Sequence, residues 1–446
     1  MRSDLISRPR PLRPERKQLH VERAQPVHGV AASVAPLLDH FFGGPPPVRI
    51  EFWDGTALGP DRSDTLQVRS PDAVRRLLWS PGEVGLARAF VMGDLAFDGD
   101  IFEMLATLHA ATPERIHIGS RLPWRALQVA RRLGVMGGPL PCPPEEAAPR
   151  GRLHSRARDA QVVQHHYDVS NDFYVMVLGP SMTYSCARFA PGVHTLEAAQ
   201  ESKHDLICHK LGLPDQAGQR VLDVGCGWGS FAMHAARHYG ARVVGVTLSP
   251  AQAQGARDRV AAAGLEQQID IRLQDYRDVR DGAFDAIASV GMFEHVGSSK
   301  SAEYFSTMRR LLEPEGRLLN HAISSVGGSR IGPRSFIGRY VFPDGELIDV
   351  GQVVLAMEEA GFEVRDVESL REHYAKTLRA WVGNLQRRWD AAVAEVGVRR
   401  ARVWLLYMAA SANGFEDGGI SVHQVLGVVP GPDGRSGMPS TRGAWA

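Results

Sequence analysis

The sequence predicts an α/β protein: a parallel, Rossmann-like sheet flanked by helices and carrying a helical cap, preceded by a smaller α+β unit. Three observations predict it. From about residue 160 strand-like and helix-like segments alternate, and at that spacing right-handed crossovers build a parallel sheet with helices on both faces. The first of these strands, RVLDVG (220–225), runs into a glycine-rich turn that opens a helix. A Pro/Gly-rich stretch, 134–152, separates this half from an earlier stretch of different pattern and marks a domain boundary. The chain has 446 residues, room for two or three domains of about 150 residues.

Taken in order, residues 1–26 are rich in Arg and Pro without periodicity and are expected to be disordered. Residues 27–112 form the first unit. It holds the strand-like VRIEFW (48–53), a turn at Asp54-Gly55, and TLQVRS (65–70). PDAVRRLLW (71–79) reads as a helix with proline at its start. Residues 82–98 mix helical pattern with glycine, and 101–110 read as a short apolar helix. Residues 113–159 combine a basic helix with the Pro/Gly linker. In the basic part Arg121, Arg125, Arg131 and Arg132 accompany Trp124, Leu127 and Val129. That segment has two readings: an amphipathic helix lying on an anionic membrane, or a solvated helix packing on its own domain. Residues 160–429 carry the alternating pattern. Strands are expected at 220–225, 241–248, 269–275, 284–291 and 316–324, helices at 229–238, 250–263 and 300–312, a helical cap over about 325–410, and a closing strand at 420–429. The tail, 430–446, is expected to be disordered.

Composition excludes several classes. Lys+Arg 51 against Asp+Glu 50 gives a formal net charge of +1, which argues against a nucleic-acid partner. No run of 18 or more apolar residues is present, so no spanning helix is expected, and the N-terminus lacks the apolar core of a secretory signal. Cys142, Cys186, Cys208 and Cys226 form no CxxC pair, which fits a reducing cytoplasm without a zinc or disulfide framework. The adjacent His165 and His166 point apart on a helix or a strand, so no metal site is expected.

The turn Asp223-Val224-Gly225-Cys226-Gly227-Trp228-Gly229 lets backbone approach a ligand closely. Its G-x-G-x-G spacing differs from the dinucleotide fingerprint and suits a nucleoside without a pyrophosphate. It is similar to motif one of class I methyltransferases, which bind S-adenosyl-L-methionine. Beyond the next strand, Thr247, Leu248, Ser249 and Gln252 stand where ribose hydroxyls would be met. Asp275 and Tyr276 follow the third strand, where an adenine amine and ring face would be met.

Five further blocks sit around that loop: Gln164-His165-His166-Tyr167-Asp168, Met182-Thr183-Tyr184-Ser185-Cys186, Gly291-Met292-Phe293-Glu294-His295, His321-Ala322-Ile323 and His373-Tyr374-Ala375. In this order they resemble the cyclopropane-fatty-acyl-phospholipid synthase family, to which the mycolic acid cyclopropane synthases belong. The resemblance covers roughly residues 160–429. Residues 27–112 look like the N-terminal lipid-binding domain of the longer, phospholipid-acting members. The resemblance implies a class I methyltransferase fold that uses S-adenosyl-L-methionine, with bicarbonate as the base. It implies a bicarbonate cradle of Cys186, Glu294, His321, the backbone of Ile323, and Tyr374, a cation-stabilising face on Tyr167, and contacts from Tyr184 and Ser185 to the methionine part of the cofactor. Cys186 is not read as a nucleophile, since nothing near it in sequence lowers its pKa.

The implied reaction is one-carbon transfer to the cis double bond of an unsaturated phospholipid acyl chain, at the membrane surface on the cytoplasmic side. A carbocation follows, and the site of proton loss decides the product. A cyclopropane is the first reading. A methylene or methyl branch is the alternative, kept close by the FPDGEL segment (342–347), and it would need a separate reductase as partner. The resemblance also admits a homodimer. Two rival functions are a methyltransferase acting on a soluble small molecule and a non-enzymatic lipid-binding protein.

Overall fold

The computed structural model describes residues 29–62, 64–112, 122–147, 151, 155–156, 158, 161–162, 169–328, 331–332 and 335–445. Tyr167, Arg121 and the 1–26 segment lie outside the described residues.

The N-terminal unit is a four-stranded sheet of β1 (Arg49–Phe52), β2 (Ala57–Leu58), β3 (Thr65–Val68) and β4 (Leu95–Asp98), ordered β2-β1-β3-β4. β1 and β3 are parallel, and the short β2 and β4 pair antiparallel on either side. Helices Gly29–Phe42, Pro71–Trp79, Glu83–Met92 and Ile101–Ala111 complete it. The second of these starts where the sequence places it: the Ser70 side chain caps it by accepting from Asp72 N (3.0 Å), and Pro71 occupies the first turn.

The basic segment forms the helix Leu122–Arg132, which buries Val129 and Ala130 in the same core as the N-terminal unit. Its opposite side exposes Trp124, Arg125, Arg131 and Arg132. The helix is therefore part of the first unit, and the linker proper begins after it. At Glu146 that linker is tied to both neighbouring units. Glu146 accepts from Arg88 Nε and Nη2 (2.9 and 2.8 Å), from Arg339 Nη1, and from the Tyr340 hydroxyl (3.1 Å). One carboxylate thus joins the N-terminal unit to the cap.

The larger sheet has seven strands in the order β10-β11-β9-β8-β5-β6-β7: β5 (Arg220–Val224), β6 (Arg242–Thr247), β7 (Ile269–Leu273), β8 (Phe284–Val290), β9 (Leu312–Ser325), β10 (Glu363–Ser369) and β11 (Ile420–Val428). β7, β6, β5, β8 and β9 run parallel; β11 is antiparallel to both β9 and β10. This is the class I methyltransferase arrangement. The cap region holds helices Phe336–Tyr340, Val350–Glu359, Arg371–Arg387, Trp389–Val396 and Val398–Glu416. It also contains β10, an edge strand absent from the sequence reading. Its charged sequence Glu363-Val-Arg-Asp-Val-Glu-Ser lies inside the stretch expected to be a helical cap, and it hides the strand because the inward Asp366 is met by Lys210 (2.8 Å) and not by an apolar neighbour.

The tail also departs from expectation. Trp445 is buried, and Arg442 pairs with Asp366 and Glu368 (both 3.3 Å), so the C-terminal residues pack against the sheet edge. The helices Arg371–Arg387 and Val398–Glu416 share one core with the N-terminal unit, including Phe90, Met104, Trp381, Trp404 and Met408. Asn413 Nδ2 donates to Phe102 O (2.8 Å), and Phe336 N donates to Glu83 Oε1 (2.9 Å). The small domain thus sits on the cap.

Removing a partner from a mostly buried charge cluster strands the others. Glu146→Ala should therefore destabilise the folded chain by roughly 3 kcal/mol, measured by thermal or urea unfolding. A loss well under about 1 kcal/mol, the range of exposed ion pairs, would mean that the cluster is incidental.

Candidate active site

The cofactor cleft opens where the chain leaves β5, between its neighbours β6 and β8. This is the point at which strand order reverses and α/β sheets bind ligands. Gly225 and Cys226 donate to Val246 O (2.9 and 3.0 Å), which ties the loop to β6. Gly225 and Gly227 have φ of +78° and +55°, a region that disfavours a side chain. A Cβ at Gly225 would also come within 2.9 Å of Met292.

The extended segment 183–186 is pulled against this loop from two sides. Gln200 Nε2 donates to Thr183 O and Ser185 O (3.3 and 3.0 Å), and Ser230 Oγ donates to Ser181 O (2.5 Å). Arg259 braces the junction through Trp228 O (2.6 Å) and Ser181 O (3.0 Å).

Of the residues expected to meet the cofactor, Tyr184, Ser185, Asp223, Gly225, Cys226, Gly227, Trp228, Thr247, Leu248, Gln252 and Tyr276 line the cleft. Gly229, Ser249 and Asp275 do not. Gly229 and Ser249 instead cap the helices Ser230–Tyr239 and Pro250–Ala262. Asp275 is held by Arg277 (Nη2 to Oδ2, 2.6 Å), so its carboxylate is already engaged. Thr247 Oγ1 donates to Gln252 Oε1 (2.8 Å).

The donor set fits S-adenosylmethionine. Bare backbone lies at the loop, aromatic faces come from Tyr276 and Trp228, and two buried charged side chains, Lys203 and Asp223, face the cleft. Lys203, His204 and Arg277 were missed in the sequence. The helix Leu196–Leu211 that carries the first two shows no apolar stripe by which to orient it.

Beside the cleft, the residues expected to form the cradle are joined through short connections. Glu294, in a turn after β8, accepts from Ile323 N at Oε1 (2.7 Å). Ile323 stands opposite Val422 in the β9–β11 ladder, and Val422 O accepts from Leu370 N (3.0 Å). Leu370 O in turn accepts from Cys186 Sγ (3.6 Å) and Tyr374 N (3.1 Å). His321, two residues before Ile323, receives a hydrogen bond at Nδ1 from Gln424 Nε2 (3.2 Å). Glu294 Oε2 and His321 Nε2 are buried and have no hydrogen-bond partner.

Aromatic rings connect cradle and cleft. The Tyr184 ring lies 5.3 Å from Trp381 and 5.8 Å from Trp404, and its hydroxyl donates to the Tyr407 hydroxyl (3.3 Å). Tyr374 packs on Phe415 (4.7 Å) and Trp381 (6.1 Å). A second, smaller cavity is lined by Tyr340, Val341, Trp404 and Tyr407. The FPDGEL segment closes over the turn, with Glu346 N donating to Glu294 O (3.2 Å).

Burial dominates the electrostatics. It lifts the Glu294 carboxyl to about 7 and pushes His295 down to about 4. His321 is driven well below its ordinary value by burial, then by Lys203. Burial also pushes the Cys186 thiol far up, the opposite of an activated nucleophile. A carboxyl near neutrality is poised to gain and lose a proton.

A family model described as "Mycolic acid cyclopropane synthetase" matches residues 154–425. The chain belongs to this family. It is similar to the probable fatty acid methyltransferase Rv3720 of Mycobacterium tuberculosis (44% identical over 421 residues, covering 91% of this chain and 97% of that one). It is also similar to the cyclopropane-fatty-acyl-phospholipid synthase of Escherichia coli K12 (34% identical, 83% and 90%). Among solved structures, it superposes on mycolic acid cyclopropane synthase CmaA1 complexed with SAH and CTAB. That match has a TM-score of 0.57 and 36% identity, and covers 60% of this chain and 97% of that one. The family and the fold establish the protein as an S-adenosylmethionine-dependent methyltransferase of the cyclopropane synthase type that modifies fatty acids.

The raised Glu294 pKa has a stability consequence. An ordinary glutamate titrates near 4.5, whereas Glu294 keeps its proton up to about 7. Between those values the unfolded chain releases a proton that the folded chain retains, so stability falls as pH rises through that window. Glu294→Gln removes this liability. The variant should match the parent near pH 4 and exceed it above pH 7, by at most roughly 3 kcal/mol. Parallel melting-temperature profiles across that range would contradict a buried, raised carboxyl.

Proposed function

We propose that the protein transfers the methyl carbon of S-adenosylmethionine onto the cis double bond of an unsaturated acyl chain in a membrane phospholipid, giving a cyclopropane. The observation that carries this reading is the pair of buried atoms without partners, Glu294 Oε2 and His321 Nε2, on residues linked through Ile323, whose amide holds Glu294 and which lies two residues along β9 from His321. Two polar atoms left unsatisfied in an apolar surround are costly, and a small oxyanion with its own proton satisfies both. Bicarbonate bound there supplies the base, and S-adenosylmethionine supplies the electrophilic methyl group.

The chain's own residues then have distinct tasks. Ile323 N fixes the Glu294 carboxylate, and Gln424 fixes the His321 ring. Glu294, poised near neutrality, accepts and returns the proton. Tyr374 offers a phenolic donor, and Cys186 closes the cradle as a small neutral side chain. Tyr184 and Ser185 contact the methionine end of the cofactor. Tyr167, outside the described residues, is the residue to which the family resemblance gives the role of stabilising the cation. As the methyl–sulfur bond breaks, a bond forms to one alkene carbon and positive charge develops on the other. Loss of a proton from the transferred methyl closes the ring. The aromatic walls favour positive charge and exclude water that would otherwise trap it.

A second reading has the proton leave a neighbouring carbon, giving a methylene branch that a separate reductase saturates. The 44% identity to a probable fatty acid methyltransferase favours it, and the cradle serves both outcomes. The assignment to phospholipid at a cytoplasmic membrane face is supported by the helix Leu122–Arg132, which buries Val129 while exposing Trp124 (67%), Arg125, Arg131 and Arg132. Among the described residues no helix is long and apolar enough to cross a membrane. A homodimer would present two such faces.

The test is to incubate the protein with unsaturated phospholipid vesicles and cofactor labelled in the methyl group, then analyse the fatty acids by mass spectrometry before and after hydrogenation. Labelled acyl chains that resist mild hydrogenation are the expected result. Chains that take up hydrogen indicate the branch, and unlabelled chains overturn the lipid substrate. Glu294→Gln should lower turnover by at least about a hundredfold with S-adenosylhomocysteine affinity within a few fold; near-normal turnover would remove the proposed base. Replacing Trp124, Arg125, Arg131 and Arg132 together should weaken binding to anionic vesicles, more at low salt than at high. Unchanged binding would reduce the helix to a packing element.

A further inference from the structure

The helix Leu196–Leu211 turns a polar face inward. Gln200, Lys203, His204 and Lys210 are all buried, at three-, four- and seven-residue spacings that share one helix face. Two of these side chains are accounted for within the fold. Gln200 holds the 183–185 backbone, and Lys210 is neutralised by Asp366 (2.8 Å) and Glu368 (2.5 Å).

Lys203 is different. It is 1% exposed and lines the cofactor cleft, and its ammonium donates to one neutral oxygen, Ser185 Oγ (3.0 Å). Among the described residues no carboxylate lies within 4 Å of it. Across the same floor Asp223, 2% exposed, also lines the cleft, with Oδ2 buried and unpartnered. His204 Nε2, likewise buried and lining the cleft, has no partner either.

A buried ammonium and a buried carboxylate that face a cavity without pairing are costly for an empty protein. They match a ligand that carries one charge of each sign a few bonds apart. The amino-acid end of S-adenosylmethionine is such a group, with an α-carboxylate and an α-ammonium. We propose that Lys203 is the residue that recognises the cofactor's carboxylate, set against Asp223 at the ammonium, so that the cleft reads the methionine zwitterion as well as the nucleoside.

Ser185 fits this arrangement, because the hydroxyl that Lys203 now holds lies in the segment assigned to the methionine part. Burial supports it as well. Lys203 is pushed down to about 7 and Asp223 up to about 7, in each case by desolvation and against the pull of the other. Both groups are therefore more readily charged once a zwitterion supplies the missing counter-charges.

The experiment compares S-adenosylhomocysteine with 5′-methylthioadenosine, which keeps the nucleoside and lacks the amino-acid end. Binding is followed by calorimetry or by quenching of Trp228 fluorescence. In Lys203→Met, S-adenosylhomocysteine affinity should fall by about thirtyfold or more, the range for removing one side of a buried charge pair, while 5′-methylthioadenosine affinity stays within about threefold. Equal losses for both ligands would make Lys203 a structural residue, and no loss for either would remove it from recognition; both results overturn the proposal.

A measurement on the unaltered protein keeps the test open if the variant folds poorly. The methyl ester of S-adenosylhomocysteine, its carboxylate capped, should bind at least about thirtyfold more weakly than the free acid. Equal affinity for acid and ester overturns the assignment. An unaltered protein that binds neither S-adenosylhomocysteine nor 5′-methylthioadenosine would overturn the cofactor reading itself, a failure distinct from that of Lys203.

Discussion

The proposed chemistry depends on keeping one carboxylate dry beside the place where positive charge would form. Glu294 is fixed at one oxygen by the Ile323 backbone amide and left bare at the other. The same dryness that raises its pKa to about 7 drives His321 and His295 toward neutrality. The proposed chemistry needs this combination. A hydrated carboxylate is a poor base, and a hydrated carbocation is captured by water. Excluding water therefore sets the proton affinity of the base and the lifetime of the cation together, and both effects come from the same walls.

Those walls are supplied by parts of the chain far apart in sequence. Trp381 and Trp404 come from cap helices, Tyr184 from the segment braced on the glycine loop, and Tyr407 reaches a second cavity bounded by Tyr340 and Val341. The N-terminal unit packs on the back of those same cap helices, joined through Glu146 and Asn413. The element proposed to meet lipid and the lid over the reacting centre therefore share one core. A cap anchored in this way resists the local opening that loosely packed loops undergo, which suits the water exclusion that the proposed chemistry would need.

The glycine loop and the alternating strands were legible in the sequence, because each carries its signal locally: a turn that requires positive φ at Gly225 and Gly227, and apolar runs at β5 and β8. What was not legible depends on partners brought in from a distance. β10 is absorbed into the expected helical cap until Lys210 is placed against Asp366. The tail reads as disordered until Arg442 and Trp445 find the sheet edge. Asp275 has the composition of an adenine acceptor, yet Arg277 two residues later occupies it, an engagement that spacing alone does not reveal.

The helix Leu196–Leu211 shows the same limit in its sharpest form. Periodicity arguments look for an apolar stripe, and this helix buries Gln200, Lys203, His204 and Lys210 along with its apolar residues. Two lysines seven residues apart are among them. The fold answers Lys210 with two carboxylates of its own and answers Lys203 with a hydroxyl. If the fold were optimised for stability alone, the second lysine would be neutralised like the first or replaced by an apolar residue, since an uncompensated buried ammonium is among the most expensive groups a core can hold. Local inconsistency of this kind is expected where a ligand completes the structure. The contrast between the two lysines, identical in chemistry and nearly so in burial, isolates what differs between them: Lys210 faces protein, and Lys203 faces the cleft.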